Sequence, residues 1–186
     1  MDYVLGMPGY VAFLRGITPS NPRMSNDKLR GAAESLGHGN VRTLLSSGNV
    51  LFESDDTDSA ALESAFESAW RDQLGFDSTT IVRSADEIQR LVDLRPYGDR
   101  EHSRKTYLLV TFAKEPLTIP FSYPYQPEDK EYWILAGTDR ELFGLIDTTS
   151  ATSPDLMSWL DKQFGKEISS RTWLTVTRVL AKLRSS

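Results

Sequence analysis

The side chains best suited to gripping an anion fall in two short stretches near the start of the chain. Arg15 and Gly16 end an apolar run, Arg23 follows in the next loop, and Ser47-Gly48-Asn49 lie in a later turn. A guanidinium makes charge-assisted, often bidentate bonds to phosphate or carboxylate, and hydroxyls, amides and free helix N–H groups complete such a set. Whether this is a site depends on the fold bringing the two stretches together.

Other chemistries lack their residues. Cysteine is absent, which removes thiol catalysis, thiolate metal sites and disulfides together and fits a reducing, cytoplasmic setting. His38 and His102 have neither a carboxylate nor a second imidazole at ligand spacing, and His38, between two glycines, reads as an exposed turn residue. There is no lysine-bearing phosphate loop, no GxGxxG after a strand and no Gly-x-Ser-x-Gly. Asp55, Asp56 and Asp58 fit a solvated turn and a helix cap better than a magnesium site. No metal or cofactor is implied. No general base is identifiable, although electrostatic catalysis needs neither histidine nor cysteine, so no reaction is assigned.

The chain has 186 residues, 39% hydrophobic and 25% charged, and a net charge of −5. That composition suits a globular protein with a core and disfavours indiscriminate nucleic-acid binding. Charge is unevenly spread: residues 10–50 sum to +3, 162–186 to +5, and 51–161 to −12. No apolar run approaches the ~20 residues that span a bilayer, and the first residues lack the pattern of a secretory signal.

Hydrophobic patterning supplies the elements. Tyr10 to Arg15 reads as a buried strand, and 16–23 as a loop. A helix over 25–36 has Leu29, Ala32, Ala33 and Leu36 on one side, with Ser25 or Asn26 as its cap. Strands follow at 41–45 and 50–53, then a helix capped by Asp58 with Leu62, Phe66 and Trp70 in its stripe, then a strand at 79–83. Strand, helix, strand, strand, helix, strand is the ferredoxin-like split βαβ order, with an antiparallel sheet and two helices on one face. The expected organisation is an N-terminal tail over 1–9, this subdomain over 10–83, and a smaller α+β half over 84–186, packed as one unit. In that half a capping box at Ser84 and Glu87 starts a short helix, and 105–112 forms a strand. Residues 114–130, with four prolines, form an irregular connection. A hairpin spans 132–146, a helix starts at Ser153-Pro154, and a last helix begins near Thr175. The weak RNP1-like pattern at 105–112 is ordinary strand alternation.

In the split βαβ order the first strand runs antiparallel beside the third. The end of the first (Arg15, Gly16) therefore meets the start of the third (Ser47, Gly48, Asn49), beside the loop carrying Arg23 and the start of the first helix. These groups suit an anion. They equally fit a structural role in which Arg15 and Asn49 tie loops together.

Tyr10 through Ile17, Val41 through Phe52, Val82 through Ser84 and Arg171 through Val176 resemble the signatures of the domain-of-unknown-function 1697 family. The likeness starts at Met7, which makes Met1 to Gly6 an extension or a misassigned start. The resemblance implies a soluble, mainly bacterial α+β protein and supplies no reaction, cofactor or catalytic residue. The family's RGIN loop, followed by glycines and a lysine, is Thr18, Pro19, Ser20 and Asn21 after Ile17 here. Its RNWNT motif is Arg171-Thr172-Trp173-Leu174-Thr175. Retention adds Arg171, Trp173 and Thr175 to the candidate ligand-binding residues. The leading expectation is an anion-binding domain for a nucleotide or phosphorylated metabolite, with Arg171 approaching from the second half and Trp173 as a wall. The alternative is a protein-interaction or regulatory module whose signatures are structural, and RNA binding ranks below both.

Overall fold

The structure, a computed structural model, describes residues 7–149 and 155–185. It is an α+β chain with two four-stranded antiparallel sheets and five α-helices among those residues. The chain divides into two compact units: the chain through Ile88 together with the stretch from Val179, and Gln89–Arg178. The helix start at Ser153-Pro154 lies outside the described residues, as does Met1 to Gly6.

In the first unit β1 (Gly9–Leu14) leads through a loop to α1 (Asn26–Glu34), then β2 (Gly39–Thr43) and β3 (Asn49–Glu53). Next come α2 (Ser59–Ala69), continued by a π-helical turn to Leu74, then β4 (Thr80–Ser84) and α3 (Ala85–Asp93), which from Gln89 belongs to the second unit. The caps are those written in the sequence. Ser25 Oγ accepts from Lys28 N–H, and Asp58 Oδ1 accepts from Ala60 and Ala61 N–H. At α3 the Ser84 and Glu87 side chains exchange bonds with each other's backbone N–H, a reciprocal capping box.

The strands lie in the order β2-β3-β1-β4, with β1 antiparallel to both neighbours and Val11 opposite Leu51 and Arg83. Tyr10, Ala12, Leu14, Val50, Phe52 and Val82 pack with Leu29 and Ala33 of α1 and Leu62, Phe66 and Trp70 of α2. Val11, Phe13, Leu51 and Ile81, on the opposite face, are just as inaccessible. The sheet is therefore buried on both faces, which its unbroken apolar runs require.

β4 is an edge strand, yet the backbone donors pointing away from β1 are all taken. Thr80 N–H donates to Glu67 Oε1 (2.8 Å), Val82 N–H to Glu63 Oε1 (2.9 Å) and Ser84 N–H to Glu87 Oε2 (2.7 Å). Helix α2 thus both fills the core and closes the edge. An open edge would present a template for another strand.

The second unit contains β5 (Thr106–Ala113), β6 (Tyr132–Gly137), β7 (Glu141–Asp147), α4 (Leu156–Phe164), β8 (Ile168–Thr172) and α5 (Trp173–Arg184), whose end belongs to the first unit. Its order, β6-β7-β5-β8, repeats that of the first. Where the first unit has α1, this one has the proline-rich segment 114–130. Leu117, Ile119 and Phe121 pack on the core around Ala113, Ile134, Leu142, Leu160 and Ile168, and Tyr125 exchanges backbone bonds with Ile134 at the outer edge of β6. Sequence patterning passes over β8, because Ser169, Ser170, Arg171 and Thr172 show no apolar alternation, and it starts α5 two residues late.

Glu63→Ala is expected to cost about 1–3 kcal/mol in chemical denaturation, since it strands the Val82 N–H in a buried strand. Glu63→Gln keeps an acceptor and should lose clearly less; equal losses would show that the bond to β4 is not what Glu63 contributes.

Candidate functional site

The last residues of β1 set the geometry. Leu14 N–H donates to Gly48 O (2.9 Å), and Arg15 N–H to Thr79 O (2.8 Å). Ser78 Oγ donates to Arg15 O (2.7 Å). The chain then turns at Gly16, whose φ of 72° is the left-handed conformation that glycine adopts without strain. Gly48 also has a positive φ, of 74°, and a Cβ there would meet Ile17 Cγ1 at 2.5 Å. Both the conformation and the space exclude other residues at that position.

Asn26, the first residue of α1, donates from Nδ2 to Leu45 O (3.0 Å) and so ties the helix start to the β2–β3 turn. Arg15, Gly16, Ser47, Gly48 and the N-terminus of α1 accordingly lie together at one end of the sheet. Arg15 is half-buried, and Gly16, Ser46 and Ser47 are exposed. Arg23 is exposed, with a long bond of 3.5 Å from Nη1 to Gly75 O, and its N–H is held by Asn21 Oδ1 (3.0 Å).

Asn49 has a different position. It is 1% exposed, and its Nδ2 donates to Leu44 O (2.9 Å) and Ser47 Oγ (3.0 Å) while its backbone carbonyl accepts from Leu44 N–H (3.0 Å). This side chain closes the β2–β3 turn from within.

The three candidates in the second unit serve its packing. Arg171 is buried, and its Nη1 donates to Ser169 Oγ (2.9 Å) and Ser170 O (2.7 Å). Loss of hydration pulls the guanidinium down to about 10. Trp173 lies edge-on to Tyr97 (5.3 Å between ring centres) and Phe143 (6.4 Å). Tyr97 is itself buried, which raises its phenol, and it donates to Leu109 O. Thr175 N–H donates to Thr172 Oγ1 (3.2 Å), so Thr172 caps α5. An asparagine there, as in the family-like motif, fills the same role.

Sequence reasoning missed Arg83. It is 1% exposed, donates from Nη1 to Val82 O (3.0 Å), and faces Val11 across the sheet as Arg171 faces Val110. Both arginines end a strand that passes directly into a helix through a capping Ser84 or Thr172. Both are followed five residues later by a fully buried Ile88 or Val176. The shared spacing, from Arg83-Ser84 to Ile88 and from Arg171-Thr172 to Val176, was the available signal.

His38 is not an exposed turn residue. Its ring packs on Phe52 (4.7 Å) and Phe66 (5.2 Å), half-buried, and its Nε2 is inaccessible and has no hydrogen-bond partner. Burial lowers its pKa, with Asp56 opposing in part. The position between Gly37 and Gly39 lets the chain double back onto the core. His102 Nδ1 accepts from Leu108 N–H (3.2 Å). Among the described residues no three His, Asp or Glu side chains are placed to hold a metal, and no helix is long and apolar enough to cross a membrane.

A family model described as "Protein of unknown function (DUF1697)" matches residues 7–143. The solved structure of the conserved bacterial protein SP0830 from Streptococcus pneumoniae is similar with a TM-score of 0.71 at 22% identity. The match covers 96% of this chain and 99% of that one. No functionally curated protein matches.

Asn49→Ala is expected to destabilise the protein by about 1–3 kcal/mol in a denaturant titration, because Leu44 O and Ser47 Oγ lose their buried donor. His38 gives a pH dependence of defined sign. Its folded pKa is lowered, so below an ordinary imidazole value of roughly 6.5 the unfolded chain takes up the proton first. Its contribution to stability is intact above that pH and declines as pH falls towards the folded pKa. Unfolding measured at pH 7.5 and 5.5 should show a smaller acid loss for His38→Phe than for the parent.

Proposed function

We propose that this chain, which belongs to the DUF1697 family, binds a phosphorylated small molecule, a nucleotide or phosphorylated metabolite, at the end of β1 in its first unit. The observation that carries this reading is the Asn26–Leu45 bond, which draws the start of α1 against the turn holding Ser47 and Gly48, beside Arg15 and Gly16. An anion there meets a guanidinium, a serine hydroxyl and the positive end of a helix. Arg15, Gly16, Arg23 and Ser47 are the direct contacts in this reading, and the buried Gly48 and Asn49 hold the turn. The strand order β2-β3-β1-β4, with helices after β1 and β3, supports a ferredoxin-like split βαβ unit as the scaffold. Absence of cysteine supports a cytoplasmic setting.

A second reading, an interaction or regulatory module with structural signatures, is favoured by the internal bonding of Asn49, Arg171 and Thr175. A thermal-shift screen of nucleotides and phosphorylated metabolites separates the two. A ligand at 100 times its Kd adds about 2.7 kcal/mol of stability. The expected outcome is a shift in the parent that disappears in Arg15→Ala and shrinks in Arg23→Ala. No shift from any compound, with Arg15→Ala itself losing more than about 2 kcal/mol of stability, favours the structural reading.

A further inference from the structure

We propose a separate ligand site in the second unit: a slot for a flat aromatic carboxylate, formed by Trp133, Leu135, Leu145, Thr106, Asp147 and Arg100. These residues line a cavity of about 350 Å³, within the range of small-molecule sites. Trp133 and Leu145 are cross-strand partners on β6 and β7, and Thr106 and Asp147 are partners on β5 and β7, so strand pairing fixes the walls. Trp133, Leu135 and Leu145 are half-buried, which leaves an indole and two aliphatic side chains in contact with the slot. An indole with leucines beside it favours a flat apolar body over a hydrated one.

The charge at the slot determines the polar end. Arg100 is exposed, its Nη1 makes one long bond of 3.4 Å to Tyr97 O, and it has no carboxylate within ion-pairing distance among the described residues. Asp147 shares the cavity but its Oδ1 accepts from Thr149 N–H (2.8 Å) and Thr149 Oγ1 (2.6 Å), bonds that hold its carboxyl below the usual range. Thr149 holds Asp147 Oδ1 while the aspartate stays ionised, and the Arg100 guanidinium is the cation at the apolar slot available to a carboxylate. A ring stacked on Trp133 with a carboxylate at Arg100 satisfies both, and the Thr106 hydroxyl offers one further bond.

The test uses the full chain with ¹⁵N-labelled indoles and 2-naphthoate as the probe, Trp133→Phe identifying the Trp133 resonance. The expected result is a saturable shift of that resonance. Affinity should fall about tenfold or more in Arg100→Gln, and by a similar factor for neutral 2-naphthamide. Arg100 is exposed, so the variant is expected to melt like the parent, and its melting curve checks this. An unmoved Trp133 resonance at millimolar 2-naphthoate overturns the proposal. Equal affinity of the acid and the amide, or of parent and Arg100→Gln, overturns it too.

Discussion

Val11, Ala12, Phe13 and Leu14 have no exposed side. β3 and β4 take the backbone groups on either edge, and apolar side chains cover both faces. Each fully buried large side chain contributes about 1.5–3 kcal/mol, and a one-residue slip would turn every side chain to the other face. The register of β1 is therefore fixed, and with it the point where the chain emerges. Arg15 and Gly16 stand where they do because Phe13 is the last residue paired with both neighbours and Leu14 the last paired with β4. The candidate site is the rim of that constraint.

The edge of the sheet needs a different device. Three outward N–H groups of β4 face α2 and α3, and at the fully buried Val82 an unmet donor costs about 1–3 kcal/mol. Glu63 and Glu67, one helical turn apart, reach alternate residues of the strand, while Glu87 takes the third from the capping box. Helical spacing of 3.6 residues and strand spacing of two thus meet at matching intervals. The same glutamates that satisfy β4 keep it from pairing with another chain.

Two units of one strand order without obvious sequence repetition show which features the order needs. Both keep a central buried strand, Val11 to Leu14 and Val110 to Ala113, apolar but for Thr111, and both keep an arginine, a capping hydroxyl and a buried aliphatic residue where the fourth strand becomes a helix. The first crossover differs. A helix lies in one and a proline-rich strap in the other, because that position needs only apolar side chains over the sheet and a cover for its edge.

Local signals were legible in the sequence. Ser25, Asp58 and the Ser84–Glu87 pair start helices because a cap acts on backbone groups within three residues of it. The stripe of Leu62, Phe66 and Trp70 marks a buried face by its period alone. The convergence of Arg15 with the Ser47–Gly48 turn also followed, since it needs only the order of the elements. What depends on distant partners did not follow. β8 is polar in sequence, and only pairing with Leu109 through Ala113 makes it a strand. His38 looks like a turn residue until Phe52 and Phe66 close on it. Asn49 is a donor of open purpose until the turn folds round it and takes both its N–H groups. Composition and spacing record what a residue offers, whereas burial and hydrogen-bond partners come from segments far away in the chain, and these decide which offers stay open to a ligand.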